Sequence, residues 1–163
     1  MGGGSGRGPP DGSEAYRARE RLSPKHAGRV ASLAYMDVLL VSPDEETRAI
    51  IALSVRNIER RIGSGLRFRA ARDGDLGSKA ALRDRPDVIV ADEIASRAGA
   101  FSLARSLRDD LDPYTGVIVI LLDRAHDAWL ARWSGADAWF VKPVDPFELA
   151  DRLLDLITEK ESA

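Results

Sequence analysis

From Asp37 onward the chain alternates between two kinds of apolar pattern. Asp37–Val41, Asp87–Ala91, Val117–Leu122 and Ala138–Val141 are short, nearly unbroken apolar runs bounded by polar or turn residues. Such runs predict strands buried on both faces. Phe68–Ala71 predicts a further short strand, edge-like because charges interrupt it. The segments between these runs have helical spacing. Asp44–Ile62 places Ile51, Val55, Ile58 and Ile62 on one face, and Gly63-Ser64-Gly65 stops it. Leu76–Arg83, Ala100–Leu111 (apolar at Phe101, Leu103, Ala104 and Leu107) and His126–Trp133, ended by Gly135, predict three more helices. The last helix carries its own start signal: Asp145 as cap, Pro146 in the first turn and Glu148 three residues after the cap. Its inward stripe is Ala150, Leu153, Leu154 and Ile157. Five strand–helix units of this kind imply an α/β fold, a parallel sheet covered by helices on both faces. Pattern alone leaves the strand order open.

Residues 1–34 read differently, and the predicted domain runs from 35 to 160. Gly2-Gly3-Gly4-Ser5-Gly6 and Gly8-Pro9-Pro10-Asp11-Gly12 cannot build a core and predict a flexible tail. A basic patch follows (Arg17, Arg19, Arg21, Lys25, Arg29), opposed by Glu14 and Glu20, with room for a short helix over Ser13–Leu22. This segment reads as a docking arm, as a solvated tail, or as an upstream extension of a reading frame that starts at Met36.

Composition narrows the class. A net charge of −2 argues against a dedicated nucleic-acid binder, which carries a basic excess. No apolar stretch approaches the roughly 20 residues of a membrane span, and the N-terminus has no apolar signal region. With no cysteine there is no disulfide, thiolate metal site or Cys nucleophile, and a reducing cytoplasm is the expected compartment. His26 and His126 lack partners at metal-site spacing, so neither a resident metal nor catalysis is expected of them.

The chemistry gathers at strand ends. Pro86-Asp87-Val88-Ile89-Val90-Ala91-Asp92 ends in a carboxylate, and Gly135-Ala136-Asp137-Ala138-Trp139-Phe140-Val141-Lys142-Pro143 ends in a lysine and a proline. In open α/β sheets the C-terminal strand ends form the site edge. The first strand instead ends in Ser42-Pro43, followed by the acidic run Asp44-Glu45-Glu46. That run has no glycine and would repel a phosphate, which disfavours a nucleotide-binding site there.

From Met36 to about Lys160 the chain resembles the response-regulator receiver domain (CheY-like). The resemblance rests on Asp92 and its following loop to Phe101, on Gly135-Ala136-Asp137, on Lys142-Pro143, and on Asp145-Pro146-Phe147-Glu148-Leu149. It implies a flavodoxin-like sheet in the order 2-1-3-4-5 and a cis bond at Lys142-Pro143. Asp92 then falls on the phosphoacceptor and Lys142 on the site lysine. The family's acidic pair falls on Ser42 and Pro43, a register supported by Arg48. Its hydroxyl residue falls on Leu121, its switch aromatic on Trp139, and its loop proline on Ser96. Phosphoryl transfer to a carboxylate works by positioning and charge neutralisation, and Mg²⁺ needs carboxylate ligands. Mg²⁺ is therefore expected to bind weakly at most.

Asp92 reads in two ways, as a phosphoacceptor of a phosphorelay or as the partner that pairs with Lys142 and closes the sheet. The expectation is an atypical stand-alone receiver, not an enzyme, that works by contact with a protein. The partner is a histidine kinase, a downstream effector or a second copy. The resemblance puts that contact on the face of the fourth helix, fifth strand and fifth helix. There Trp133 and Arg132 are the candidate contact residues, Trp129 is expected to pack inward, and Trp139 is expected to be a half-buried strand residue.

Overall fold

The computed structural model describes residues 35–63, 65–93 and 99–163. The tail, with the helix expected over Ser13–Leu22, and Ser96 in the loop after Asp92 lie outside the described residues. The elements run in chain order β1 (Tyr35–Val41), α1 (Glu45–Ile62), β2 (Gly65–Ala71), α2 (Gly74–Asp84), β3 (Val88–Asp92), α3 (Ala100–Asp109), β4 (Val117–Leu122), α4 (Ala128–Trp133), β5 (Ala138–Val141) and α5 (Pro146–Ser162). All strand pairs are parallel, and the sheet order is β2-β1-β3-β4-β5.

The period-two rule of a strand sorts the core into two halves. Val38, Leu40, Val88, Val90, Val117, Val119 and Leu121 face α1 (Ile51, Val55, Ile58) and α5 (Leu149, Leu153, Ile157). Leu39, Val41, Ile89, Ala91, Ile118, Ile120 and Leu122 face α2, α3 and α4 through Ala81, Leu103, Leu107 and Ala131. Gly77 lets α2 approach closely, because a Cβ there would lie 2.8 Å from Leu103 and 2.9 Å from Val41.

Local chemistry sets the helix ends, and here the structure corrects several sequence boundaries. Asp44 stands outside α1 as its cap, accepting from the Thr47 amide, and Asp145 caps α5 in the same way. Asp73 caps α2, so that helix starts two residues earlier than expected and ends at Asp84. The third helix stops at Asp109, and Leu111 lies fully in solvent. The fourth is shorter than its pattern: Ala125–Asp127 forms a single 3₁₀ turn before α4. That register turns Trp129 outward, 62% exposed, against the expectation that it packs inward. Strand β2 is seven residues long, three more at its start than charge patterning suggested, because its backbone follows β1 through Tyr35↔Gly65 and Arg67 pairs with Asp37.

One cation ties the lower end of the sheet to two helices. Arg108 of α3 donates to the carbonyls of Tyr114, Gly116 and Gly135 and pairs with Asp137 at 2.7 Å. Both side chains of that pair are less than a fifth exposed. Gly135 has φ +85°, a left-handed conformation that suits glycine and aims its carbonyl at Arg108. Removing one partner of a buried pair strands the other, so Arg108→Ala should cost about 3 kcal/mol in urea unfolding. Lys160, which meets Asp137 from the solvent side, should cost under about 1 kcal/mol as Lys160→Ala. Equal losses in the two variants would show that Arg108 does not anchor this corner.

Candidate functional site

Strand register brings the site together. Val41 lies opposite Ala91, so Ser42, the residue after β1, lies level with Asp92 at the end of β3. Asp92 in turn lies opposite Leu121, and Leu121 opposite Phe140. Asp92 is fully buried, with 0% exposure. A buried carboxylate needs partners for both oxygens. Its Oδ1 takes the Lys142 ammonium at 2.6 Å, and its Oδ2 accepts from the Ser42 hydroxyl at 2.9 Å. The Lys142-Pro143 bond is cis.

Lys142 has a second partner that the sequence reading did not single out. Asp123, the residue after β4, lies 2.7 Å from the same ammonium. Its amide is held by the Glu93 carboxylate at 2.7 Å, while the Glu93 amide donates to the Leu121 carbonyl. The turn after β3 and the turn after β4 are thus fastened to each other and to β5. The signal for Asp123 was its position two residues beyond Leu121, on the same face by strand alternation, at a polar strand end.

Electrostatics follow this arrangement. Burial works against the Lys142 charge, but hydrogen bonds to Asp123 and Asp92, together with their charges, outweigh it. The ammonium is held above its ordinary pKa of 10.5. Burial pushes the Glu93 carboxyl up, aided by the nearby Asp127 and Asp123 charges and opposed by the Asp123 amide. The Thr47 hydroxyl and amide hold Asp44 below its ordinary value.

The other expected positions fall as follows. Ser42 is buried, and its hydroxyl oxygen also accepts from the Asp44 amide at 3.1 Å. Arg48 donates to the Ser42 carbonyl at 2.7 Å and so fixes the end of β1. Pro43 is exposed and offers no side-chain ligand. The Asp44 carboxylate is spent on the cap of α1. Leu121 is buried in the core under α1 and α5, without a hydroxyl to offer. Trp139 is half-buried against the other core, with the Arg132 guanidinium 5.6 Å from its ring centre. Trp133 is 55% exposed, and Arg105 covers one of its faces at 5.2 Å. Trp129, Trp133, Val141 and Phe147 leave an apolar surface on α4, β5 and α5.

Mg²⁺ prefers an octahedral shell of oxygens supplied by carboxylates, phosphate and water. Ser42, Pro43 and an Asp92 engaged at both oxygens are a poor donor set for it. Among the described residues no group of three His, Asp or Glu side chains could hold a metal ion.

No protein-family profile matches the chain. It is 30% identical over 125 residues to the alkaline phosphatase synthesis transcriptional regulatory protein PhoP of Bacillus subtilis, covering 77% of this chain and 50% of that protein. An uncharacterized response regulatory protein of Mycobacterium tuberculosis is 37% identical over 71 residues, 44% of this chain and 53% of that one. The chain thus spans about half the length of the curated relatives it matches. Among solved structures it is similar to the chemotaxis response regulator CheY4 of Vibrio cholerae (TM-score 0.64, 22% identity, 75% of this chain and 98% of that chain). It is also similar to the receiver domain of the sensor histidine kinase PA1611 of Pseudomonas aeruginosa, described with a magnesium ion in its active-site cleft (TM-score 0.65, 22% identity, 76% and 98%).

Two stability outcomes follow from the Asp92–Lys142–Asp123 bridge. Lys142→Met should cost about 2–3 kcal/mol, between the surface and buried values because the ammonium keeps some solvent. Asp92→Leu combined with Lys142→Met should cost less than Lys142→Met alone; a larger loss in the double variant would contradict the pairing. A raised lysine pKa stabilises the fold fully below the unfolded value and loses that contribution as pH rises through the folded one. The advantage of the natural protein over Lys142→Met should therefore be flat up to about pH 10 and shrink above it, read from urea midpoints.

Proposed function

We propose that this response-regulator receiver domain, CheY-like in fold and in its relatives, signals through protein contact with its switch site held permanently closed. The observation that supports this is the Lys142 ammonium, shared between Asp92 at 2.6 Å and Asp123 at 2.7 Å. In this reading Asp123 is the built-in anion that a phosphoryl group on Asp92 would otherwise supply to Lys142. The Glu93–Asp123 bond then keeps the turn after β4 drawn inward without a ligand. A ligand shifts a conformational equilibrium only through different affinity for two states, and here the anchors of such a ligand are already engaged. Leu121 cannot donate to a phosphoryl oxygen, and moving Trp139 would break its packing and its Arg132 contact. Mg²⁺ binds weakly or not at all.

The contact surface in this reading is the α4–β5–α5 face, and its partner is a protein such as a histidine kinase, a downstream effector or a second copy. Trp129 is the better anchor, because among the described residues no cation covers it as Arg105 covers Trp133. A second reading, phosphorylation of Asp92 in a phosphorelay, is favoured by the retained Asp92–Lys142 pair.

Incubation with acetyl phosphate and Mg²⁺, followed by intact mass, should show no stable phosphoryl adduct. A stoichiometric adduct lost in Asp92→Asn would favour the second reading. In the native host, Asp92→Ala should leave signalling nearly intact, whereas Trp129→Ala or Arg132→Glu should weaken it. Loss of signalling in a folded Asp92→Ala variant, with Trp129→Ala silent, would reverse the assignment.

A further inference from the structure

Among the described residues β2 forms one edge of the sheet, and it is the longer of the two edge strands: seven residues against four in β5. Four consecutive residues, Arg67 to Ala70, are exposed. In a parallel strand alternate residues turn their N–H and C=O toward the neighbour, so the others in β2 turn theirs outward. Beside this edge runs a stripe of α2, Leu76, Lys79, Ala80 and Arg83, at the spacing i, i+3, i+4, i+7. Together with Ala70, Ala71 and Arg72 these residues line an open groove. Its floor is apolar and its rim is cationic.

The rim charges are unequal in their commitments. Arg67 is paired with Asp37, while Arg69 and Arg83 converge on Asp84. Arg72 and Lys79 are exposed, and neither has an ion pair or hydrogen bond among the described residues. Asp73 is occupied by the α2 cap, and Asp75 lies off the groove stripe.

We propose that this groove is a docking site for an extended acidic segment of a partner protein, added to the sheet as a sixth strand beside β2. Strand addition draws affinity from main-chain hydrogen bonds and specificity from alternate side chains. Here the bonds would come from the outward-facing groups of β2, with the carboxylates on one face of the added strand meeting Arg72 and Lys79 in the groove and small apolar residues on its other face lying beside Phe68 and Ala70, which share the face of Val38 and Leu40. The same charges exclude other occupants. A second β2 edge would bring arginines against arginines, the negative design common on free edges. Strand β5, reading Ala-Trp-Phe-Val, has no carboxylate to offer in a head-to-tail pairing. The chain's own N-terminal segment, with Arg17, Arg19, Arg21, Lys25 and Arg29, carries the wrong sign. This site lies on the sheet edge away from the α4–β5–α5 face and does not depend on how that face is used.

The test is a titration of the ¹⁵N-labelled full chain with a synthetic peptide alternating glutamate and valine. Saturable amide shifts should appear over Leu66–Ala71 and Leu76–Arg83, and the outward amides of β2 should exchange more slowly. Arg72→Glu with Lys79→Glu should weaken binding by roughly tenfold or more while leaving the rest of the amide spectrum in place. A peptide of equal charge with proline at alternate positions, which removes backbone donors, should also bind at least about tenfold more weakly. Equal binding of the proline peptide would reduce the site to bare charge and overturn the proposal. So would tighter binding of a single-stranded oligonucleotide, shifts centred on α4 and β5, or β2-mediated self-association without peptide.

Discussion

A carboxylate with no solvent must have its charge met by the protein, and Asp92 imposes that condition on the whole upper edge of the sheet. Lys142 is brought to one of its oxygens from β5 and Ser42 to the other from the end of β1. Arg48 holds the Ser42 carbonyl, and the Ser42 hydroxyl takes the Asp44 amide, which places Asp44 to cap α1. On the far side Lys142 carries the bridge to Asp123, and Glu93 closes the loop. A buried ion pair gives little net stability over an apolar pair of the same shape, but losing one member is costly. That asymmetry makes the Asp92 neighbourhood hard to change one residue at a time.

The opposite end of the molecule uses the same logic with the sign reversed. Arg108 is a half-buried cation that spends its donors on three carbonyls and Asp137. It fixes where α4 ends and β5 begins, and so sets the register that brings Lys142 level with Asp123. Between these two polar clasps the core is plain β-branched and leucine packing in two layers. The two proposed contact surfaces lie at opposite edges of the sheet: the aromatic α4–β5–α5 face on one side and the cationic β2 edge on the other.

Much of this was legible in the residue pattern, and the exceptions have physical causes. The five strands, the stripes of α1 and α5 and the Asp145 cap follow from periodicity and capping chemistry, and the order of the strands came only with the receiver resemblance. Asp92 and Lys142 could be placed together because both end apolar runs. Asp123 is not legible from the resemblance, which points to a hydroxyl at Leu121, whereas the carboxylate sits one strand period further on. Apolar spacing turns Trp129 inward because it does not register the 3₁₀ turn over Ala125–Asp127, which shifts the helical phase. The residue pattern makes β2 too short, because arginines at Arg67 and Arg69 look like loop residues. Their pairing with Asp37 and Asp84 depends on contacts distant in sequence. Arg108 gave no local signal at all, since every one of its partners lies at least six residues away.

The central proposal is that Asp123 takes the role of the incoming anion and leaves the site no second state to reach. Amide NMR spectra with and without beryllofluoride and Mg²⁺ examine this most directly, because beryllofluoride stands in for a phosphoryl group on a carboxylate. The bridge predicts unchanged resonances for Asp123, Trp139 and Lys142, with Asp123→Ala as the variant in which a response reappears. Saturable shifts at Asp123 and Trp139 in the natural protein, abolished by Asp92→Asn, would contradict it.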